Sequence, residues 1–258
     1  MGMVLSRRVF GLSYEGHFFD EETWRASAAD IAALRTHGSA EGWQCRLPER
    51  TLVVSLTPSE EDILAGFAAR ARASVRSAAR TVSITWAVPP EERADFYRAY
   101  GDFAARRGLL APNPAEETGL DLLLARDRDG ALLQAAAFLP ARGVGIYRYR
   151  YGVALRKSQA NAGILFEAMR RAKSLGFPLF DLGGITPGAR PGSHEAGITF
   201  FKSQFGGREV EGSLYLRGRT ASLRAALRLL SAASPLFPLL PLLRDAAIRV
   251  AGRGSSAD

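Results

Sequence analysis

Residues 180–207 read FDLGGITPGARPGSHEAGITFFKSQFGG, and the fold is read outward from them. An apolar strand closes in Asp181-Leu182-Gly183-Gly184. A loop with Pro187, Gly188, Pro191 and Gly192 follows, then Gly197-Ile198, Phe200-Phe201-Lys202 and Phe205-Gly206-Gly207. One lysine thus stands among aromatics and glycines, where a charge is costly unless it is partnered or has a task. An ordered loop with a cation beside it is a way to hold an anion or a developing oxyanion.

Upstream, Leu120–Ala125, Ala131–Leu139 and Ile146–Val153 read as three strands joined by turns at Asp127–Gly130 and Arg142–Gly145. In the third, strict alternation puts Tyr147, Tyr149 and Tyr151 on one face and Arg148 and Arg150 on the other. Tyrosines so placed can pack under a helix with wet hydroxyls or line a ligand, and both readings stay open. Ser158 can cap a helix over about residues 160–175, with Ile164, Leu165, Ala168, Ala172 and Leu175 as its apolar stripe and Gly176 as its end. Phe177–Leu182 reads as a buried strand. A short helix and a strand at Ser213–Leu216 complete the order. This is an α/β (α+β) layout, a mixed central sheet flanked by helices.

Towards the N-terminus, TLVVSL at Thr51–Leu56 is a strand. Thr57 as cap, Pro58 at the first helical position and Glu60 in a capping box then start a helix through Ile63, Leu64, Phe67, Ala71 and Val75. Arg70, Arg72, Arg76 and Arg80 stud that helix, either as a solvated face complementing the dipole or as a phosphate-binding face. Val82–Val88 reads as a strand. Pro89-Pro90-Glu91 opens a helix carrying Phe96, Tyr100 and Phe103 up to Gly108, and Ala111–Glu117 is a loop. In residues 1–50, Val9–Tyr14 and Trp43–Leu47 read as short strands and Asp30–Leu34 as a helical turn.

The 258 residues allow one large domain or two small ones, and 47% hydrophobic with 23% charged residues is an ordinary globular balance. Net charge is +8, and only three of the 34 basic residues are lysines. Guanidinium groups suit bidentate contact with phosphate or carboxylate, so anionic partners follow: a phosphorylated acceptor, nucleic acid or acidic lipid. Cys45 stands alone, which excludes an intramolecular disulfide and a zinc site of several thiolates and fits the cytoplasm. The first residues lack a signal peptide's apolar core, and no run is long enough to span a membrane. At the other end, 221–230 is an Arg-bearing amphipathic segment. SPLFPLLPLL at 234–243 and Arg244, Arg249 and Arg253 follow it, a membrane-surface segment or a tail packed on its own domain. His17, His37 and His194 lack metal-ligand spacing, and neither a nucleophile elbow nor a P-loop is present.

The layout over 120–216 resembles acyltransferases of the GNAT type. Acetyl-CoA users of that group bind pyrophosphate on backbone N–H groups through R/Q-x-x-G-x-G/A at the start of the helix after the long strand. RKSQANAG at 156–163 lacks a glycine at the matching position. More specifically, Tyr149–Gly152, Ala172-Lys173, Gly176, Phe180–Gly184, Gly197-Ile198, Phe201-Lys202 and Phe205–Gly207, in that order, resemble the FemABX family. These are aminoacyl-tRNA-dependent peptidyltransferases that build peptidoglycan cross-bridges. The resemblance covers about 51–230 loosely and 146–216 well. Typical members carry two GNAT-like domains and are longer. The resemblance therefore implies a reduced N-terminal GNAT-like half over 1–115, a catalytic domain over 116–220 and a basic, apolar tail over 221–258.

It further implies transfer of an aminoacyl group onto an amine of a peptidoglycan precursor or another envelope or small-molecule acceptor. Aminoacyl-tRNA would be the donor, with no resident cofactor and no metal. Lys202 matches the family lysine at the reaction centre, where its ammonium would support the oxyanion; a structural ion pair with Asp181 or Glu195 is the other reading. Asp181 would orient the Gly183–Gly184 turn or accept from the amine. Tyr149, Arg150, Tyr151, Gly183, Gly184, Glu195 and Phe201 form the expected substrate-binding set. The protein would work in the cytoplasm, on the inner face of the membrane if the tail binds there. Two alternatives stand beside this: an acyl-CoA- or carrier-protein-dependent N-acyltransferase, and a non-catalytic binding module on a degenerate fold.

Overall fold

The computed structural model describes residues 3–9, 12–87, 89–107, 114, 119–156 and 158–233. Lys157, most of the loop over 111–117 and the Pro-rich tail over 234–258 lie outside the described residues. The chain forms two compact units, one of residues 1–48, 101–118 and 212–258, the other of 49–100 and 119–211. The expected division into 1–115, 116–220 and 221–258 therefore does not follow the packing. Residues 49–100 belong with the later segment because their strands are hydrogen-bonded to it, Val53 opposite Asp181 and Ile84 opposite Ala125.

In the first unit, β1 (Met3–Val9) and β2 (Leu12–Phe18) form an antiparallel hairpin. The expected strand over Val9–Tyr14 is divided between β1 and β2, and its Phe10 and Gly11 lie outside the described residues. Helix α1 (Glu21–Ala26), which sequence reading missed, is capped by Asp20, whose carboxylate accepts from the Thr23 N–H. Strand β3 (Ile31–Thr36) corrects the helical turn expected at Asp30–Leu34. It runs parallel to β2 and antiparallel to Ser213–Gly218, and pairing on both edges overrides the local helical preference of IAALR. Trp24, Ala32, Leu34, Ala40 and Tyr215 form this unit's core, with the Trp24 indole N–H donating to the Ala32 carbonyl at 3.1 Å.

Strand β4 (Cys45–Ser55) joins the two strands expected at 43–47 and 51–56 into one. The single helix expected after it is two, α2 (Glu60–Ala65) and α3 (Ala69–Thr81). Ser59, not Thr57, caps α2 by accepting from the Asp62 N–H. The break at Gly66 lets the Ala68 N–H reach the Gln204 carbonyl at 2.8 Å. Strand β5 (Ser83–Trp86) and α4 (Pro90–Arg107) follow, then β6 (Asp121–Arg126), β7 (Leu132–Ala141) and β8 (Ile146–Ala154). Helix α5 (Ala160–Ser174), β9 (Leu179–Ile185), α6 (His194–Ser203), β10 (Arg208–Gly218) and α7 (Ala221–Ala233) complete the order. The cap expected at Ser158 is corrected: Gln159 is the N-cap of α5 and caps it with no side-chain hydrogen bond, while the Ser158 hydroxyl, one residue earlier, accepts from the Ala160 N–H at 3.3 Å.

The second unit is built on a mixed sheet in the order β4-β9-β8-β7-β6-β5, in which β8 and β9 are the parallel pair. Helices α2, α3 and α5 cover one face. Their Ile63, Val75, Ile164, Leu165 and Met169 close over Val54, Leu123, Phe138, Tyr147 and Phe180 of the strands. At the tightest point a Cβ on Gly163 would lie 2.7 Å from Ala78 Cβ and 2.9 Å from Ile84 Cδ1. Gly163→Ala is therefore expected to lower stability by about 1–3 kcal/mol in urea unfolding, because α5 must lift off α3 to admit one methyl.

Candidate active site

Two irregularities in β8 create the site. The register slips between Ala137 and Phe138: Phe138 pairs with Tyr149 and Ala137 with Tyr151, so Arg150 is one residue too many. Such a bulge reverses the facing of everything beyond it. Tyr147 and Tyr149 keep the face of Phe138, but Tyr151 moves to the opposite face, its ring 4.5 Å from Tyr100 and 5.8 Å from Phe96 of α4. The expected single face of three tyrosines is thereby corrected; strict alternation does not survive an inserted residue.

The second irregularity is a parting of strands. Strands β8 and β9 share a ladder over Ile146–Arg148 and Leu179–Asp181 and no further, although β8 runs on to Ala154 and β9 to Ile185. Where they part, Gly183 takes φ 79°. Any side chain there would crowd the Tyr149 carbonyl, 3.2 Å from an added Cβ, and the Lys202 ammonium at 3.4 Å. Only glycine fits this left-handed turn without strain.

Lys202 enters this gap from α6. That helix starts because Ser193 caps it, its side chain accepting from the Ala196 N–H at 3.1 Å. Its last turns are anchored by Phe201, which meets Phe205 edge-on at 5.1 Å, and Phe205 meets Phe67 at the same distance. Phe201 packs against the core, and Lys202, the next residue, turns about 100° from it around the helix. It is 9% exposed, its ammonium donates to the Gly184 carbonyl at 2.6 Å, and it sits 5.8 Å from the centre of the Tyr149 ring. Burial pushes its pKa down to about 8, the Arg148 guanidinium pushes the same way, and the Asp181 carboxylate partly offsets both. The Tyr149 phenol is raised above its ordinary value by burial and then by the neighbouring Tyr100 phenol, so it remains a neutral O–H donor.

Beside the lysine lies a buried polar cluster. Asp181 is fully buried; its carboxylate accepts from the Thr51 hydroxyl, from the Arg148 guanidinium and from the Gly183 N–H at 2.7 Å. Arg148 is the ion-pair partner of Asp181 at the last rung before β8 and β9 separate. Buried charges persist when paired and hydrogen-bonded in this way. Asp181 therefore ties the Gly183 turn to Arg148 and Thr51.

The structure brings together Lys202, Tyr149, Gly183 and Gly184, with Asp181 behind them. It does not bring in the remaining expected residues. Phe201 is a core anchor, Tyr151 packs on α4, and Arg150 lies over the Tyr151 ring at 5.7 Å. Glu195 is exposed in the first turn of α6. Sequence reading missed Arg148 and Thr51 as parts of the site. The available signal was position: Arg148 lies on the strand face opposite Tyr147 and Tyr149, and Thr51 precedes the core residues Leu52 and Val54.

At the start of α5, where a pyrophosphate would be cradled in a coenzyme A site, the only glycine in 156–163 is Gly163. It is spent on packing against Ala78 and Ile84. Among the described residues no three of His, Cys, Asp and Glu gather as a metal-ligand set, and no helix is long and apolar enough to cross a membrane.

Neither a protein-family model nor a curated protein sequence matches the chain. Solved structures do match. FemX superposes with a TM-score of 0.57 at 14% identity, over 81% of this chain and 83% of its own. The C-terminal domain of a putative lysylphosphatidylglycerol synthetase from Agrobacterium fabrum gives a TM-score of 0.53 at 16% identity, over 89% of this chain and 84% of its own. L-PGS from Bacillus licheniformis gives 0.50 at 11% identity, over 73% and 66%. The chain thus shares the fold of FemX and of that synthetase domain, the mixed α/β architecture expected from the sequence.

Proposed function

We propose that the protein is an N-acyltransferase that moves an aminoacyl group from aminoacyl-tRNA to an amine of an envelope precursor or a small-molecule acceptor. The observation that carries this reading is the Lys202 ammonium, held between the separating β8 and β9 beside Tyr149. The architecture shared with FemX and with lysylphosphatidylglycerol synthetase domains supports it.

The chemistry follows from the geometry. The neutral acceptor amine attacks the ester carbonyl carbon, and the carbonyl oxygen takes up the electron pair. Lys202 supplies charge to that oxyanion, worth more in a site shielded from water than in bulk. Collapse breaks the C–O bond; the ribose oxygen leaves with the proton that the amine gives up, and an amide remains. Asp181 and Arg148 serve as positioning groups, keeping the Gly183 turn open enough for Lys202 to lie in it. We place the work at the cytoplasmic side of the envelope, where charged tRNA is available.

The test is incubation with charged tRNA and candidate amines, followed by mass spectrometry. An acceptor heavier by one aminoacyl residue is expected. Product formed from acyl-CoA in place of charged tRNA, with a thermal shift on acyl-CoA alone, would sink the tRNA reading in favour of the coenzyme A one. The crowding of Gly163 makes a null shift the expected result.

A further inference from the structure

Helix α3 has four arginines and no acidic residue in thirteen positions. Ala71, Val75 and Ala78 form its buried face. On the opposite side Arg72, Arg76 and Arg80 recur at i, i+4 and i+8, a straight row advancing about 6 Å per step. Arg72 is committed to structure, its guanidinium donating to the Ala65 and Phe67 carbonyls behind α2. Arg70, Arg76 and Arg80 are exposed and, among the described residues, make neither an ion pair nor a side-chain hydrogen bond. Among the described residues Arg25 pairs with Glu21, Arg50 with Glu209 and Glu211, Arg170 with Glu60 and Glu167, and Arg219 with Asp30, while Arg106, Arg190, Arg208 and Arg228 are exposed without an ion pair; α3 differs in carrying three such arginines on one helix.

At the C-terminal end of α3 the turn between β6 and β7 adds Arg128, whose guanidinium donates to the Arg80 carbonyl at 3.4 Å. The acids of that turn are Asp127 and Asp129. Asp127 accepts from the Asp129 and Ala131 N–H groups and lies 3.8 Å from Arg156. The exposed residues between the arginines are small, Ala69, Ala73 and Ala79, with no large apolar side chain to enter a bilayer. Arg76 and Arg80, four apart, are a like-charge pair that destabilises its own helix, and with Arg70 and Arg128 they make a cationic face that a polyanion would neutralise.

We propose that the outer face of α3, with Arg128 at its end, is a docking surface for an RNA phosphate backbone. The proposal goes beyond the transferase reading by placing the nucleic acid on residues outside the Lys202 site, and rests on that reading only for which RNA is carried. The contacts are to phosphate and so are indifferent to base sequence.

The test is binding of a fluorescent RNA hairpin by full-length protein across a salt series. Arg70→Gln/Arg76→Gln/Arg80→Gln is expected to weaken binding at least tenfold at low salt and to reduce the slope of log affinity against log salt by roughly two to three. The corresponding triple lysine variant should keep most of the affinity. The three side chains are exposed, so circular dichroism should show both variants folded. Lys202→Met should bind the hairpin as the wild type does, which separates failure of this surface from failure of the transferase reading. Hairpin binding unchanged in the glutamine variant overturns the proposal. So does capture of the wild type by phosphatidylglycerol vesicles with no binding to the hairpin.

Discussion

Lys202→Met is expected to lower turnover by about 10²–10³ while leaving the protein folded. The loss follows from removing the one ammonium at the mouth of the β8–β9 gap. The fold should survive because methionine fills similar space and removes a buried charge. A pKa brought from 10.5 to about 8 means that burial disfavours the charged form by about 3 kcal/mol. The variant escapes that penalty and forfeits a hydrogen bond to Gly184 worth about 1–2 kcal/mol. The sign with pH is fixed. Below about 8 both folded and unfolded wild type carry the ammonium, and the penalty is full. Between about 8 and 10.5 the unfolded chain binds the extra proton, so wild-type stability rises with pH there, and that of the variant does not. Wild-type turnover should instead fall as pH passes about 8 and the ammonium is lost. Steady-state rates and urea unfolding at pH 7 and above 9 measure both. Retained turnover in Lys202→Met would remove the lysine from the chemistry.

Asp181→Ala is expected to be the most damaging single change to the fold, by about 3–5 kcal/mol. It leaves the Arg148 guanidinium buried without its ion-pair partner and strips the acceptor from the Thr51 hydroxyl and the Gly183 N–H. Urea unfolding should show a large fall in midpoint or no cooperative transition. The double variant Arg148→Met/Asp181→Leu should recover much of that stability, since replacing a buried pair by apolar groups is far less costly than halving it. It should not recover turnover, because the Gly183 turn would no longer be tied down. An Asp181→Ala protein as stable as wild type would mean that the cluster is not what holds the two strands at their last common rung.

The α/β layout was legible because its elements carry strong local signals. The Asp127–Gly130 turn and the apolar stripe of α5 each name their element without help from distant residues. Lys202 was legible for a related reason: a lone cation between Phe201 and Phe205 contradicts its surroundings. What escaped was set by distant partners. The Arg150 bulge depends on what Ala137 and Phe138 do across the ladder, and a single strand does not reveal that its neighbour is one residue short. Arg148 and Thr51 lie 33 and 130 residues from the Asp181 they serve, so no local spacing joins them. Strand β3 looked helical because its strand character comes from β2 on one edge and β10 on the other.

The pairing of β3 with β10 also bears on how the protein is made. The partner of Ile31–Thr36 lies about 180 residues downstream; at ~5–20 residues per second it emerges from the ribosome roughly 9–36 s later. For that interval the far edge of β3 has no native partner, while the strands of the 49–211 segment can already find one another. The nascent chain therefore carries an open sheet edge through most of its synthesis. Translation speed and chaperone cover over that window, rather than final stability, should govern the yield of folded protein.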